Sequence, residues 1–194
     1  MKMKILPKKF YERSPEIVAR ELLGKILVRK LGKTLLTGKI VETEAYFGRE
    51  DPASRACLSE KWEEKLRREP GRVFVYMVHN NWMLNIIAHK PNEVGAVLIR
   101  ALEPLQGIEE MIRNRKKKNI KELCSGPGKL TQALKIDKNL DNIPVFLEKS
   151  GLVVIDAEKI KEENIVKAYR IGVKRDLPVP MRFYIRENPF VSKF

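Results

Sequence analysis

Two carboxylates stand in a stretch whose other residues are typical of a β-strand. The sequence IVETEAY, residues 40–46, contains Glu42, Glu44 and Tyr46 at intervals of two. β-Branched and aromatic side chains favour strands, and glutamate does not. Because side chains alternate across a strand, the three residues are predicted to share one face. That face is either a solvated edge, as for most glutamates, or a site where Glu44 activates water beside the Tyr46 ring.

A second candidate is the hairpin VFVYMVHNNWML, residues 73–84. Its strands are predicted over residues 72–78 and 82–89, with His79 and the two asparagines after it at the tip, since Asn tolerates left-handed turn geometry. The aromatic residues fit a hairpin of the core. A ring at the tip of a basic surface also suits a wedge that enters a DNA groove and unstacks a base step.

Two further stretches could contact phosphate. SGPGKL, residues 125–130, is typical of a tight turn that opens a helix, and the backbone N–H groups of Gly126 and Gly128 could bind phosphate together with Lys129. It is not a Walker A loop, because leucine stands where that motif requires Ser or Thr. The basic run MIRNRKKKNIK, residues 111–121, is either a solvated helix face or a salt-dependent contact to DNA phosphates.

Composition restricts the classes of function. The chain has 194 residues, of which 43% are hydrophobic, enough for one domain with a sizeable core. A net charge of +14 favours nucleic acid or another anionic partner, although Lys- and Glu-rich surfaces are also typical of thermophiles. We see neither an apolar run long enough for a membrane span nor a secretory signal. Two cysteines and two histidines without metal-ligand spacing predict a reduced, cytoplasmic protein without a metal.

The elements that must position these residues are a mixture of helices and hairpins. Ser14 and Pro15 open a predicted helix that ends at Gly24. KILVRKL and LLTGKIVETEAYF are predicted to pair around Gly32. Further helices are predicted over KWEEKLRR, IEEMIRNRKKK and GPGKLTQALKI, and further strands over GAVLIRALEP, VFLEK, GLVVIDA, IVKAYRIGV and MRFYIRE. Hairpins are more evident than βαβ units, which predicts one α+β domain over residues 1–194 with an antiparallel sheet.

Several of these stretches together resemble the alkyladenine, or 3-methyladenine, DNA glycosylase family. The resemblance covers nearly the whole chain in order and spacing, and its most specific parts are IVETEAY, RALEP and LCSGPGKL. Other matching stretches are ELLGKILVRKL, PGRVFVY and MRFYIRENPFVS. The resemblance implies a single α+β domain with a curved antiparallel sheet, surrounding helices and a protruding hairpin that enters DNA. It also implies duplex DNA containing damaged purines as the substrate and no cofactor, and we expect a monomer.

The resemblance assigns the chemistry to particular residues by position. Glu44 matches the general base of the family. Arg100, in LIRALEP, matches the arginine that helps to hold the attacking water, and Ile171, in YRIGV, matches a residue whose backbone carbonyl contacts the same water. An oxocarbenium-like C1′ would be stabilised by the same carboxylate. Since no lysine occupies the matching base position, water is the expected nucleophile, without a Schiff-base lyase step.

The resemblance also implies a pocket into which a damaged nucleotide is flipped. Tyr46 and Tyr76 match its aromatic walls, and Asn85, in MLNI, matches the residue that discriminates against the amino group of normal guanine. His79 takes the intercalating position at the hairpin tip, where many relatives have Tyr. Arg55 stands where relatives usually carry a His that packs on the flipped base. Its side chain is expected either to stack there or to turn outward to a phosphate.

The implied reaction hydrolyses the N-glycosidic bond of bases such as 3-methyladenine, 7-methylguanine, hypoxanthine or ethenoadenine, and thereby initiates base excision repair. Three departures from the family pattern fall on substrate contacts: Arg55, the polar hairpin tip and residues 58–69, which lack the usual Arg- and Met-containing pattern. The reaction class is therefore better determined than the range of lesions.

Two other classes of function stay open at this stage. One is a basic nucleic-acid-binding protein that has lost catalysis, although the retention of Glu44 and Arg100 argues against it. The other is a formyltransferase-related RNA-binding module of the same fold, which would use the basic surface without Glu44. Release of a base from lesion-bearing DNA would indicate a glycosylase and argue against both alternatives. A preference for structured RNA would favour the RNA-binding module.

Overall fold

The computed structural model describes residues 4–193, and α-helices and strands are interspersed along this range. The strands are β1 (Ile26–Leu31), β2 (Thr34–Tyr46), β3 (Val73–Val78), β4 (Asn81–Ile87), β5 (Ala96–Gln106), β6 (Leu152–Ile155), β7 (Ile165–Ala168) and β8 (Arg182–Ile185). The α-helices are α1 (Pro15–Leu22), α2 (Glu60–Leu66), α3 (Ile108–Arg115) and α4 (Pro127–Ala133). Short 3-10 helices span Lys8–Phe10, Arg55–Cys57, Ile120–Glu122, Lys138–Leu140, Glu148–Ser150 and Glu162–Asn164.

These strands form one open antiparallel sheet with β2 at its centre. The order is β3-β4-β5-β2-β1-β6, and β8 pairs with both β2 and β7. The first half of β2 pairs with β1, its second half pairs with β8, and β5 runs along most of its other edge. Shifts of register on both sides of Glu42 place irregularities there, and such bulges bend a strand. The predicted α+β class with an antiparallel sheet is confirmed.

Different helices and apolar clusters cover the two faces of the sheet. The main core lies on one face, where α1, α3 and α4 cover buried strand residues such as Leu84, Val97 and Ile99. The opposite face carries two smaller apolar clusters, one around Phe74 under α2 and one around Tyr184 near the end of the described chain. The buried charged side chains Glu42, Glu44 and Arg100 of β2 and β5 lie on this second face, between the small clusters.

Most predicted elements form close to their predicted bounds. The first helix begins at Pro15, although Ser14 makes no side-chain capping bond, and Gly24 takes the left-handed conformation after it, with φ +82°. The strand predicted over VFLEK is wrong, because turns and a 3-10 helix occupy that stretch. The backbone amide of Val145 donates to Gly71 and its carbonyl accepts from Val154, so its bonds go to two distant segments and form no ladder.

The predicted hairpin is confirmed, with a tip that is one residue shorter than expected. Asn81 already pairs with Val78, so only His79 and Asn80 form the turn. Both have positive φ, 46° and 60°, which is the geometry of a two-residue turn whose twist matches its strands. Both are exposed to solvent.

None of the helices between residues 4 and 193 is long and apolar enough to cross a membrane. Cys57 and Cys124 are free thiols, the first exposed and the second buried. The same described range contains no group of three or more His, Cys, Asp or Glu side chains that could hold a metal ion.

Candidate active site

The alternation of β2 places its acidic residues on the second face of the sheet. Thr43 and Ala45 point toward α1 and the main core, and the Thr43 hydroxyl donates to a backbone carbonyl of that helix. Glu42, Glu44 and Tyr46 consequently share the opposite face, where Glu44 bonds to the Tyr46 hydroxyl. The predicted common face is confirmed.

Three donors converge on the Glu44 carboxylate, which is fully buried. The Tyr46 hydroxyl donates to Oε2 at 2.7 Å and the backbone N–H of Ile171 donates to Oε1 at 2.8 Å. Arg100 Nη1 lies 3.2 Å from Oε1. The structure therefore brings together the three residues that were predicted to act on water. Ile171 contacts Glu44 through its amide, and the predicted role of its carbonyl stays a prediction.

Burial sets the proton affinity of Glu44. Removal from water raises its pKa above the ordinary glutamate value, and the nearby charge of Glu42 raises it further. Arg100, the Ile171 amide and the Tyr46 hydroxyl act in the opposite direction, because each stabilises the ionised form. A carboxylate of raised pKa that still has three donors for its charge is well suited to accept a proton from water.

Glu42 is not a solvated carboxylate on an exposed strand edge. It is fully buried and accepts from Arg100 Nε at 3.0 Å and Arg182 Nη1 at 3.0 Å. The amide and hydroxyl of Ser192 donate to it at 2.7 and 3.0 Å. Glu42 thus fixes the guanidinium of Arg100, whose other edge faces Glu44.

The predicted pocket residues line one cavity beside Glu44. Its walls are Tyr46, Ala53, Arg55, Leu66, Phe74, Tyr76, Asn85 and Ala96. Tyr46 belongs to this wall and its hydroxyl bonds to Glu44, so one side chain links the cavity to the carboxylate. The free space is ≈ 10 Å³, which is about the room that one water molecule needs.

Arg55 occupies the cavity side of its segment. Its guanidinium carbon lies 4.7 Å from the centre of the Tyr76 ring and 5.7 Å from that of Trp62. In this structure the flat cation lies over the face of the Tyr76 ring, to which it is attracted. Its two expected orientations, against a flipped base or outward to a phosphate, stay predictions. Trp62 comes from α2, in the divergent stretch 58–69, and also packs edge-on against Tyr76 at 5.8 Å between ring centres.

Asn85 lies in the wall of the cavity with its side chain fixed. It is buried, and its Nδ2 donates to the carbonyls of Phe74 at 3.2 Å and Met83 at 3.4 Å. These bonds span the β3–β4 pair, so the amide group has one orientation relative to the Tyr76 ring of the same hairpin.

The glycine-rich turn before α4 braces the hairpin. A Cβ on Gly128 would lie 2.7 Å from Asn81 Oδ1, so only glycine allows this close approach. Gln132 Nε2 donates to the same oxygen at 2.8 Å. Lys129 is exposed, with its Nζ 3.5 Å from Ser125 Oγ, and Gly126 precedes the helix with φ +157°. These residues are absent from the walls of the cavity, and their predicted contact to phosphate is untested.

Several residues of the site have no signal in the sequence read by itself. Arg182 and Ser192 lie in MRFYIRENPFVS, a stretch noted only for its resemblance, and both contact Glu42. Asp51 and Arg170 form a buried ion pair next to Tyr46. They are 119 positions apart in the sequence, so no spacing pattern could have predicted that they pair.

Comparisons with known proteins all lead to one family. The sequence profile of the family described as methylpurine-DNA glycosylase (MPG) matches residues 9–189. A protein of Aeropyrum pernix is 42% identical over 98% of this chain and 94% of its own length. One from Clostridium perfringens strain SM101 is 44% identical, covering 97% and 98%, and one from Carboxydothermus hydrogenoformans is 41% identical, covering 97% and 99%. All three are provisionally named 3-methyladenine DNA glycosylases.

The family profile and the relatives define a DNA glycosylase, a hydrolase that acts on N-glycosidic bonds. The chain belongs to the methylpurine-DNA glycosylase family, since the profile covers nearly its whole length and these three relatives are 41% to 44% identical to it. DNA is accordingly its substrate.

The burial of Glu42 generates a prediction about stability. We expect Glu42→Gln to lower the free energy of unfolding by about 3–5 kcal/mol, because breaking a buried ion pair leaves Arg182 without its carboxylate partner and Arg100 with Glu44 alone. Glu103→Gln is the matched control. Glu103 lies on β5, is about a quarter exposed and pairs with Lys39, so its loss costs about 1 kcal/mol or less. Urea unfolding measures both, and equal small losses would contradict the structural role of Glu42.

Proposed function

We propose that the protein is a monofunctional DNA glycosylase that flips damaged purines out of duplex DNA and hydrolyses the N-glycosidic bond with water activated by Glu44. It acts as a monomer of one domain in the cytoplasm, associated with the nucleoid if the cell is prokaryotic. The observation that carries the proposal is the position of Glu44, a buried carboxylate with three donors. One of them, Tyr46, is also a wall of the cavity.

The proposed step is a displacement at C1′ of the damaged nucleotide. The oxygen of water bonds to C1′ while the bond from C1′ to the base nitrogen breaks, and the electron pair leaves with the base. Glu44 takes the proton of the water and its negative charge stabilises the oxocarbenium-like centre. Arg100 and the Ile171 carbonyl hold the water. Water is the nucleophile because the described walls of the cavity include no lysine that could form a Schiff base.

The cavity must open for a base to enter. Its free space suits one water, whereas a purine needs the area over the Tyr76 ring that Arg55 now covers. We infer that Arg55 moves away from this ring and then lies against the flipped base. Asn85, fixed in the wall, rejects the amino group of normal guanine by its position.

The DNA surface follows from the hairpin and the charge. His79 at the exposed tip fills the space that a flipped nucleotide vacates, at the cost of unstacking. Gly128 lies against Asn81, next to the turn of the hairpin, and the proposed contact to phosphate is made there by Gly126, Gly128 and Lys129. A net charge of +14 supports this contact, and the affinity then falls as the salt concentration rises.

The assignment of Glu44 is tested with Glu44→Gln under single-turnover conditions on duplexes that contain hypoxanthine. We expect retained binding of lesion DNA and a rate of base release lower by about 10²–10⁴-fold, as for loss of a general base. Glu103→Gln carries the same change of charge on the same sheet and should release the base at the wild-type rate. A rate within a few-fold of wild type for Glu44→Gln would exclude Glu44 as the base.

The role of His79 is tested by a substitution that keeps the turn. Because His79 has φ +46°, alanine would strain the backbone, whereas asparagine tolerates this conformation. We expect His79→Asn to reduce the flipped fraction of ethenoadenine, which its fluorescence reports, because the ring no longer offsets the unstacking cost of a few kcal/mol. Lys33→Asn, in the β1–β2 turn, is the control. If the flipping equilibrium of His79→Asn equals that of wild type, His79 is not the intercalating residue.

Arg55 gives a prediction about the range of lesions. Nucleotides of 7-methylguanine and 3-methyladenine are cationic, and those of hypoxanthine and ethenoadenine are neutral. Two like charges about 4 Å apart repel by about 1 kcal/mol in water and about 4 kcal/mol at an effective dielectric constant of 20. We therefore expect a preference for neutral lesions that decreases several-fold in Arg55→His, measured as the ratio of single-turnover rates for hypoxanthine and 7-methylguanine.

The control for this ratio is Arg67→His, which changes the same residue type at an exposed position after α2. It should leave the ratio unchanged. If Arg55→His changes both rates by one common factor, the guanidinium does not discriminate between charges on the base.

A further inference from the structure

We propose that Arg170 is a positioning residue for base excision: its pairs with Asp51 and Asp176 hold the Ile171 amide against Glu44 and hold the Tyr46 ring in the wall of the base pocket. The inference rests on the proposed function, in which Glu44 is the general base. It assigns no contact between Arg170 and the substrate.

The guanidinium of Arg170 is fully buried and all its nitrogens are engaged. Nη1 and Nη2 each lie 2.7 Å from one oxygen of Asp51, a bidentate pair. Nε and Nη2 donate to Asp176 Oδ1 at 2.8 and 2.6 Å. Nη1 also donates to the carbonyl of Ala45 at 2.9 Å, and the guanidinium carbon lies 4.6 Å from the centre of the Tyr46 ring.

Asp51 connects this cluster to the pocket. Its carboxylate is fully buried and accepts from the amides of Phe47 and Ala53, both at 3.0 Å. It thereby closes the turn after β2 and places Ala53, a wall of the cavity, together with Arg55 two positions later. The arginine therefore holds the segment that carries two pocket residues.

Asp176 connects the cluster to the catalytic carboxylate. It accepts from the amides of Arg170 at 3.0 Å and Leu177 at 2.8 Å. Residues 169–181, between β7 and β8, contain neither a helix nor a strand, so no ladder fixes their path. Ile171 follows Arg170 directly and donates its amide to Glu44. The orientation of that donor therefore depends on how Arg170 and Asp176 hold the loop.

Arginine suits this position for geometric reasons. Its planar fork binds one carboxylate through two nitrogens, binds another through the remaining edge and still lies flat over a ring. Lysine has a single ammonium group and cannot make all three contacts. With Asp51 and Asp176 the cluster carries two negative charges and one positive charge, and it faces Glu44 only through Tyr46 and the Ile171 amide.

Loosening the cluster changes the pH dependence of excision. The groups that face Glu44 are Tyr46 and Glu42 from β2, Arg100 from β5 and the Ile171 amide from the loop, while Arg182 from β8 reaches it through Glu42. The amide stabilises the ionised carboxylate, so its loss raises the pKa of Glu44 further. Because the base acts when it is deprotonated, activity is lost as pH falls through that pKa. A higher pKa moves this loss to higher pH.

The experiment compares Arg170→Lys with wild type in single-turnover excision of hypoxanthine across acidic and neutral pH. We expect the plateau rate to fall by about 10²-fold, as for a misplacement of about 1 Å, and the acidic limb to move to higher pH. Asp176→Asn, which keeps the arginine, is the second variant should Arg170→Lys not fold, and it should show the same direction of change.

Lys25→Gln is the matched control, because it removes another buried cation, paired with Asp156 at 2.8 Å, that makes no contact with Glu44. It should lower the thermal stability without moving the acidic limb. A slower rate of Arg170→Lys or Asp176→Asn with an unmoved limb, or no change in rate, overturns the inference. Glu44→Gln distinguishes failure of this inference from failure of the proposed function. If Glu44→Gln releases the nucleobase at the wild-type rate, Glu44 is not the general base, and this result is independent of Arg170.

Discussion

One arginine between two buried carboxylates is the interaction on which the site depends. Arg100 places Nε on Glu42 and Nη1 on Glu44, at 3.0 and 3.2 Å. Burying an ion costs several kcal/mol, and attraction offsets that cost only when the remaining hydrogen-bonding groups are also satisfied. Arg182 and Ser192 donate the other hydrogen bonds that Glu42 accepts, and Tyr46 and Ile171 donate those that Glu44 accepts. The two carboxylates thus differ, since Glu42 is bonded to residues outside the cavity and Glu44 is bonded to Tyr46, a wall of the cavity.

The central strand makes this arrangement possible. β2 pairs with β5 on one edge and with β1 and then β8 on the other, so its carboxylates are reached from both neighbours. Arg100 comes from β5 and Arg182 from β8, and each projects onto the face of the sheet that the main core leaves free. The bulges around Glu42 bend the strand where the network is densest. Both loops that complete the site, residues 47–54 and 169–181, begin next to this region.

The cavity and the proposed DNA-binding surface share one hairpin. Tyr76 and Asn85 lie in the cavity, and His79 lies at the tip of the two strands that carry them. Because α4 holds the hairpin through Asn81 and Trp82, its position relative to the sheet is fixed. The proposed wedge and pocket lie on one hairpin and keep a constant separation, which suits the proposed filling of a stack while the displaced base is held.

The sequence by itself determined the antiparallel α+β fold, the hairpin with His79 at its tip, and the common face of Glu42, Glu44 and Tyr46. These follow from local rules, the alternation of strands and the conformations that turn residues allow. The resemblance to a family supplied the grouping of Arg100 and Ile171 with Glu44. The local pattern of VFLEK wrongly predicted a strand, because the backbone of this stretch bonds to distant segments and forms no strand ladder.

Only the tertiary structure decided that Glu42 is buried, that Arg55 lies over Tyr76 and that Arg170 joins two loops. The partners concerned are 150 positions apart for Glu42 and Ser192 and 119 for Arg170 and Asp51. Whether a carboxylate is solvated or paired depends on which distant chain segments cover it, and the spacing of residues along one strand carries no information about them.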